Sequence, residues 1–467
     1  MDKSLPIAVI GAGFSGTMTA LHLLDQTRPA RLLLCERGNA FARGIAYATC
    51  CQTHLLNVRS ANMSAYPDEP AHFSNWLAAS RASIPATHMR ETDAGTFVSR
   101  DLYGRYLSSL LATAIRDGDG AHRLTLVGDE AVDLEPCEGG YRLVLAGGRT
   151  HRISHAVLAA GNLLSGGNSE GPYVANPWSY DFAKRLELDR PVVILGTGLT
   201  MVDIATQLRE SGFAGPVIAI SRRSLLPRSH VATTPWTTPT LSERERSSLR
   251  VLVRRVRREV ADAARQGVAW QSVIDSLRPL TARLWQDLPV REQARFLRHL
   301  RPWWDVHRHR TAPPVAQAIE GFVAEGWLRI QAGRVLSVDT GQRSAVVRFR
   351  PRGETRTVAI EAQRVVDATG IAGSTQCGDL FLRRLVERGL VRPDRHRLGL
   401  DVTEDLRAIG AAGAVSPGLW ALGPMVRGMF WECTAVPDIR RQASELAASI
   451  AREMAVERAS ASTVQAA

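Results

Sequence analysis

Two glycine-rich stretches have the residue types and spacing to grip a nucleotide. The first, Gly11-Ala12-Gly13-Phe14-Ser15-Gly16, directly follows the apolar run Ile7 to Ile10 and opens an apolar-periodic stretch over 14–26. A GxGxxG sequence between a strand and a helix makes a dinucleotide-binding turn, and each glycine has its own task. Gly11 permits the tight turn, Gly13 lets the backbone approach a pyrophosphate, and Gly16 lets helix pack closely on strand, while the helix N-terminus directs amides at the phosphates. Glu36 lies 20 residues beyond Gly16, at the end of a second apolar run over 31–35, and Arg37 follows it. A carboxylate at that point accepts hydrogen bonds from ribose hydroxyls and repels a 2′-phosphate, so the site suits the adenosine half of FAD or NAD.

The second stretch, Gly196-Thr197-Gly198-Leu199-Thr200-Met201, lacks the third glycine. Its surroundings restore the reading. The apolar run after it ends in Ser221-Arg222-Arg223, and guanidinium groups there match a 2′-phosphate. The two turns are thus asymmetric, acidic after the first and basic after the second, which assigns FAD to the first and NADPH to the second.

The elements that must carry these turns form two interleaved α/β units. Strand 7–10, helix 14–26 and strand 31–35 open one Rossmann-like unit; strand 191–195, helix 199–210 and strand 216–220 open another. Alternating runs near 123–127, 131–135, 141–145 and 155–159 suggest a small antiparallel sheet, and the first parallel sheet is expected to close with 364–367 and 419–422. Leu158-Ala159-Ala160-Gly161 and Asp367-Ala368-Thr369-Gly370 mark the crossovers, where small residues let the chain pass close to a bound nucleotide. This divides the chain into a discontinuous FAD domain (1–185 and 364–456), an inserted NADPH domain (186–363) with a helical insertion at about 240–310, and a frayed tail over 457–467. In the insertion, Leu249, Leu252, Val253, Val256 and Val260 recur at helical spacing with arginines between them.

The formal net charge of +12 is local, because residues 222–310 hold 19 arginines against 8 acidic residues. No stacking platform or groove-reading motif accompanies that charge, so a solvated helix face, a coding bias towards arginine, or attraction of an anionic substrate and of NADPH phosphates is favoured over nucleic-acid binding. The six cysteines show no CxxC spacing, which argues against a dithiol reductase and a structural zinc site, and the adjacent Cys50 and Cys51 read as ordinary thiols. His307 and His309 stand among arginines and make a poor metal site; anion recognition by the 307–310 cluster competes with a structural role. No apolar run reaches spanning length and no basic leader precedes Ile7, which predicts a cytoplasmic protein without a membrane partner.

The double glycine turn, the two crossovers and the C-terminal return resemble class B flavin monooxygenases. More closely, Gly44-Ile-Ala-Tyr47, His54-Leu-Leu-Asn57, Met63-Ser64, Gly196-Thr-Gly198-Leu-Thr200, Ser221-Arg222-Arg223, Trp304 to Arg310 and Gly423-Pro424 resemble bacterial FAD/NAD(P)-binding proteins with two dinucleotide-binding domains. There are departures from the pattern. The Phe-Gly and histidine signature of Baeyer-Villiger enzymes is missing from Gly166 to Pro172, which disfavours ring expansion. Pro424 stands where many flavoproteins have an aspartate for the ribityl chain, leaving that contact to backbone amides near Gly423 and to the helix beginning near Pro437.

The resemblance implies an FAD-dependent, NADPH-reduced oxidoreductase, a monooxygenase that uses dioxygen to form a flavin C4a-hydroperoxide and oxygenate a small-molecule nucleophile. A reductase without oxygenation, or a non-catalytic flavin sensor, is the alternative. It places Asn57 beside the flavin ring as the catalytic candidate, able to hydrogen-bond developing charge; a loop-capping asparagine is the bland reading. Met63, Val132, Ala160, Gly161 and Gly370 complete the expected cofactor contacts, His230 is expected to face the nicotinamide nucleotide, and the oligomeric state stays open.

Overall fold

The computed structural model describes residues 5–27, 30–38, 40–49, 51–116, 123–161, 171–179, 181–370 and 379–465. Numbered along the chain, the strands are β1 (Ile7–Ile10), β2 (Leu32–Glu36), β3 (Met89–Thr92), β4 (Gly95–Val98), β5 (Leu124–Gly128), β6 (Ala131–Cys137), β7 (Gly140–Leu145), β8 (Thr150–Ile153) and β9 (His155–Leu158). They continue as β10 (Tyr173–Val174), β11 (Val192–Leu195), β12 (Val217–Ser221), β13 (Leu328–Thr340), β14 (Ala345–Pro351), β15 (Val358–Ala362), β16 (Arg364–Asp367), β17 (Arg407–Ile409) and β18 (Val415–Ala421).

Two sheets dominate. The first runs β17-β18-β9-β1-β2-β5, and all its pairings are parallel except β17 with β18. β1 is Ile-Ala-Val-Ile with every residue buried, the continuous apolar run expected of a central parallel strand covered on both faces. The second runs β10-β16-β11-β12-β13-β14-β15, parallel as far as β13 and antiparallel beyond it. β6, β7 and β8 form a separate antiparallel sheet, and β3 and β4 a hairpin.

This topology corrects three expectations. β5 and β9 belong to the first parallel sheet, so the antiparallel sheet contains only 131–153. β16 pairs with β10 and β11, so residues 364–367 complete the second sheet instead of closing the first. The second unit thus takes in β10, inside the 1–185 segment, and ends beyond β16. A short apolar strand holds no local record of its partner, and here the partners lie far away in sequence. The last helix, Val436–Gln465, also continues through residues expected to fray from 457.

The helix Phe14–Gln26 covers the first sheet, and the core there includes Met18, Leu23, Trp420, Leu446 and Ile450. The helix Leu199–Glu210 does the same in the second unit through Met201, Ile204 and Leu208. The insertion is helical, with Glu243–Ser247, Leu249–Arg265, Trp270–Ser276, Thr281–Asp287, Val290–Arg295 and Arg301–Arg308. It opens on a capping box in which Ser242 accepts from the Glu245 amide while the Glu245 side chain accepts from the Ser242 amide. Its small core of Leu249, Trp285, Leu288 and Phe296 also takes in Trp431 from the C-terminal part of the first unit.

Polar contacts fasten the units together. Arg100 Nη2 lies 2.8 Å from Asp203 Oδ2, with both side chains largely buried. Cys51 Sγ donates to Glu210 Oε2 at 2.6 Å, and His54 Nε2 meets the Asp203 carbonyl at 3.1 Å. Among the described residues, no helix is long and apolar enough to cross a membrane.

Candidate active site

The two glycine turns are built alike. β1 ends where the Gly11 amide donates to the Cys35 carbonyl at 2.9 Å, and β11 ends where the Gly196 amide donates to the Ile220 carbonyl at 2.8 Å. Both glycines have positive φ, 102° at Gly11 and 112° at Gly196, a region that excludes most side chains. A Cβ on Gly11 would collide with the Ala159 carbonyl, and one on Gly196 with the Ala368 carbonyl. Each turn is therefore pressed against one of the two crossovers. Gly16 lies against the Gly11 carbonyl, where a Cβ could not fit. By contrast, a Cβ on Gly198 would meet nothing within 4 Å, so its bare backbone faces open cavity space. That cradle fits a diphosphate, which needs close access to main-chain amides.

The strand ends differ as the charges predict. Glu36 closes β2, and its Oε2 accepts from the Ala12 amide at 2.9 Å. Ser221 takes the matching place on β12, since Ile10 pairs with Cys35 as Leu195 pairs with Ile220. There Thr197 Oγ1 is 2.9 Å from Ser221 Oγ and donates to the Leu225 carbonyl at 2.7 Å. Arg222 and Arg223 have no hydrogen bond or ion pair among the described residues and line the cavity. Arg334, on β13, lines the same cavity. It carries no motif, and only the pairing of Ser221 with Ala332 brings that part of β13 alongside.

A single continuous cavity of about 1850 Å³ connects both turns. Pockets for one small ligand run to roughly 1,000 Å³, so this one has room for two nucleotides. It is lined by Gly11, Gly13, Phe14, Ser15, Glu36, Arg37, Asn57, Met63, Ala160 and Gly161 from the first unit, and by Gly196 to Thr200, Ser221, Arg222, Arg223 and Gly370 from the second. Pro424 lines it as well, while Gly423, with φ of 72°, packs against Ser15. Ala12, Gly16 and Val132 do not line it; Ala131 does, and the Val132 carbonyl accepts from Arg384 instead. Ala160 and Gly161 are described, but most of the 166–172 segment lies outside the described residues.

Asn57 faces this cavity, and its main-chain carbonyl accepts from His230 Nε2 at 3.0 Å. That contact places the proton on Nε2 and leaves Nδ1 a lone-pair acceptor, buried and without a hydrogen-bond partner among the described residues. Burial, reinforced by the charge of Arg310, pushes His230 down to about 4, so the ring is neutral near pH 7.

The 307–310 cluster divides. Arg308, His309 and Arg310 line the cavity, whereas His307 turns to the Trp303 carbonyl at 2.7 Å and the edge of Trp270. Arg308 and Arg310 are already paired, with Glu432 and Asp275. As for thiols, burial pushes Cys51 and Cys433 up to about 12, so both stay protonated near neutrality; Cys50 lies outside the described residues. His155, Glu453 and Glu457 bring ligand atoms within 4.8 Å of one another, but Glu453 is bound to Arg407 and Glu457 is exposed.

This architecture is the fold of the two-dinucleotide-binding-domain flavoproteins, a discontinuous first unit with a second inserted in it. Residues 8–163 match the family described as FAD-NAD(P)-binding. Along its length the chain is 25% identical to uncharacterised proteins of Mycobacterium bovis and Mycobacterium tuberculosis, with 95% of each chain covered. In fold it is similar to the ornithine N-hydroxylase of Kutzneria sp. 744, solved with reduced FAD, NADP+ and L-ornithine, at 13% identity and a TM-score of 0.64 over 97% of this chain and 100% of that one. It is also similar to the L-lysine 6-monooxygenase of Pseudomonas syringae, at 15% identity and a TM-score of 0.63 over 96% and 99%.

Proposed function

We propose that the chain binds FAD at the Gly11 turn and NADPH at the Gly196 turn, and that it is a flavin-dependent monooxygenase acting on a small-molecule nucleophile. The observation that carries this reading is the single cavity joining two matched glycine turns whose strand ends bear opposite charge. When bound, FAD supplies hydride acceptance from NADPH and the activation of dioxygen. The chain supplies position and electrostatics. Glu36 accepts from the ribose of the first nucleotide, and Arg222 and Arg223 hold the 2′-phosphate of the second.

His230, fixed by the bond from Nε2 to the Asn57 carbonyl, lines the cavity as a neutral ring beside the nicotinamide half of NADPH. Asn57 presents an amide to the reacting region, and its side chain has no protein partner among the described residues to compete for it. Burial keeps the Cys51 and Cys433 thiols protonated, which disfavours them as redox nucleophiles. The likeness in fold to the N-hydroxylating and lysine-oxygenating enzymes supports oxygenation over plain reduction.

The cofactor assignment is tested by comparing flavin bleaching by NADPH and NADH. The wild type should prefer NADPH, and the double variant Arg222→Ala, Arg223→Ala should lose about ten- to a hundredfold of that preference, the worth of one to two charge-assisted hydrogen bonds. An unchanged preference would contradict the assignment.

A further inference from the structure

The cavity wall made by the helical insertion and residues 427–432 pairs its charges one to one, with a single exception. Arg308 Nε donates to Glu432 Oε2 at 2.8 Å, and Trp304 Nε1 donates to the other oxygen at 2.6 Å. Arg310 pairs with Asp275, Arg301 Nε lies 3.4 Å from Asp305 Oδ2, and Arg278 Nη2 lies 2.9 Å from Asp438 Oδ2. Arg427 has no acid and no side-chain acceptor among the described residues, and its Nε is buried without a hydrogen-bond partner. Its guanidinium stands 5.4 Å from the ring centre of Trp431, and Arg301 stands 5.6 Å from the same ring. Both arginines line the cavity.

Two further features mark the spot. Desolvation, and then the like charge of Arg301, lower the Arg427 pKa, as expected for a cation waiting for an anion. Trp431 holds a φ of 44°, a strained conformation for a bulky residue, and its indole is fixed by stacking on Trp285 at 5.1 Å. A buried guanidinium is kept when something pairs with it. On this wall every carboxylate is taken, so an ammonium group would meet no free acid.

We propose that Arg427, with Arg301 beside it and Trp431 beneath, recognises a carboxylate on the substrate, so that the molecule oxygenated is an organic acid or amino acid and not a simple amine or diamine. This rests on the monooxygenase reading above and names its substrate class. Arg427 is a binding residue here, with no part in proton movement. A planar guanidinium suits the role because it can offer a carboxylate two parallel donors.

Calorimetric titration of the FAD-loaded protein with glutarate and with cadaverine tests the proposal, the two probes having the same chain length and opposite charge. Glutarate should bind and cadaverine should not. Arg427→Met should weaken glutarate about tenfold or more, and Arg427→Lys, which keeps the charge, should weaken it less. FAD content should stay at the wild-type level in both. Binding of cadaverine in preference to glutarate, failure of glutarate to bind, or unchanged glutarate affinity in Arg427→Met would overturn the proposal. Loss of FAD in both variants would do so too, by giving the arginine to the flavin. The wild-type comparison needs neither variant, and no step needs NADPH. Glutarate binding by a protein whose flavin NADPH does not reduce would therefore sink the monooxygenase reading alone.

Discussion

Glu36 and Ser221 hold the same place in two copies of one turn, and in the proposed assignment that difference, with Arg222 and Arg223 next in the chain, sets a ribose acceptor apart from a phosphate site. His230 joins the two sites, since it comes from the second unit and is held by Asn57 of the first. Its value of about 4 lies below the ordinary histidine value near 6.5. Below pH 6.5 the unfolded chain takes up a proton that the folded chain refuses until about pH 4, so stability falls as pH drops through that window. In His230→Gln the thermal midpoint should decline less steeply between those pH values than in the wild type, and parallel declines would contradict the buried neutral ring. At this scale, cavity-lining residues that belong to a motif were legible and solitary ones were not. Gly11, Glu36, Arg222 and Arg223 sit at fixed offsets from a strand–turn–helix unit. Arg334 and Arg427 have no such frame, and within the dense 307–310 cluster Arg308 and Arg310 are neutralised by Glu432 and Asp275, acids distant in sequence.

The glycine turns are elements whose two glycines do different work, and substitutions separate them. Gly196→Ala forces a side chain into positive φ against the Ala368 carbonyl and should destabilise by roughly 1–3 kcal/mol in denaturant unfolding. Gly198→Ala meets open space, so it should unfold like the wild type while raising the NADPH concentration needed to bleach the flavin. Equal loss of stability in both would contradict the division of labour. The helices after these turns, Phe14–Gln26 and Leu199–Glu210, were readable to their ends because turn and apolar period agree. β16 was readable as a strand, but its sheet was not, because its neighbours are set by hydrogen bonds to β10 and β11. Likewise β5 and β9 flank the antiparallel sheet in sequence while completing the parallel one.

Across the whole molecule, the two units meet around one cavity and are tied by Arg100 to Asp203, Cys51 to Glu210 and His230 to Asn57. A ligand that lines both units should therefore stabilise them together. At 100 times its dissociation constant, FAD should add about 2.7 kcal/mol to the stability of the apoprotein, read as a rise in the thermal midpoint of a single transition. Two transitions, of which FAD moves one, would mean that the units unfold separately. In the proposed reaction NADPH in the second unit reduces flavin in the first, and the reduced protein then handles dioxygen. The most direct test is stopped-flow absorbance of the FAD-loaded protein, bleached with NADPH under anaerobic conditions and then mixed with oxygenated buffer. Full bleaching is expected, followed by delayed return of the oxidised band through a transient absorbance distinct from both end states. Failure of NADPH to bleach the flavin would contradict the two-site account, and immediate reoxidation without a transient would contradict its oxygenating half.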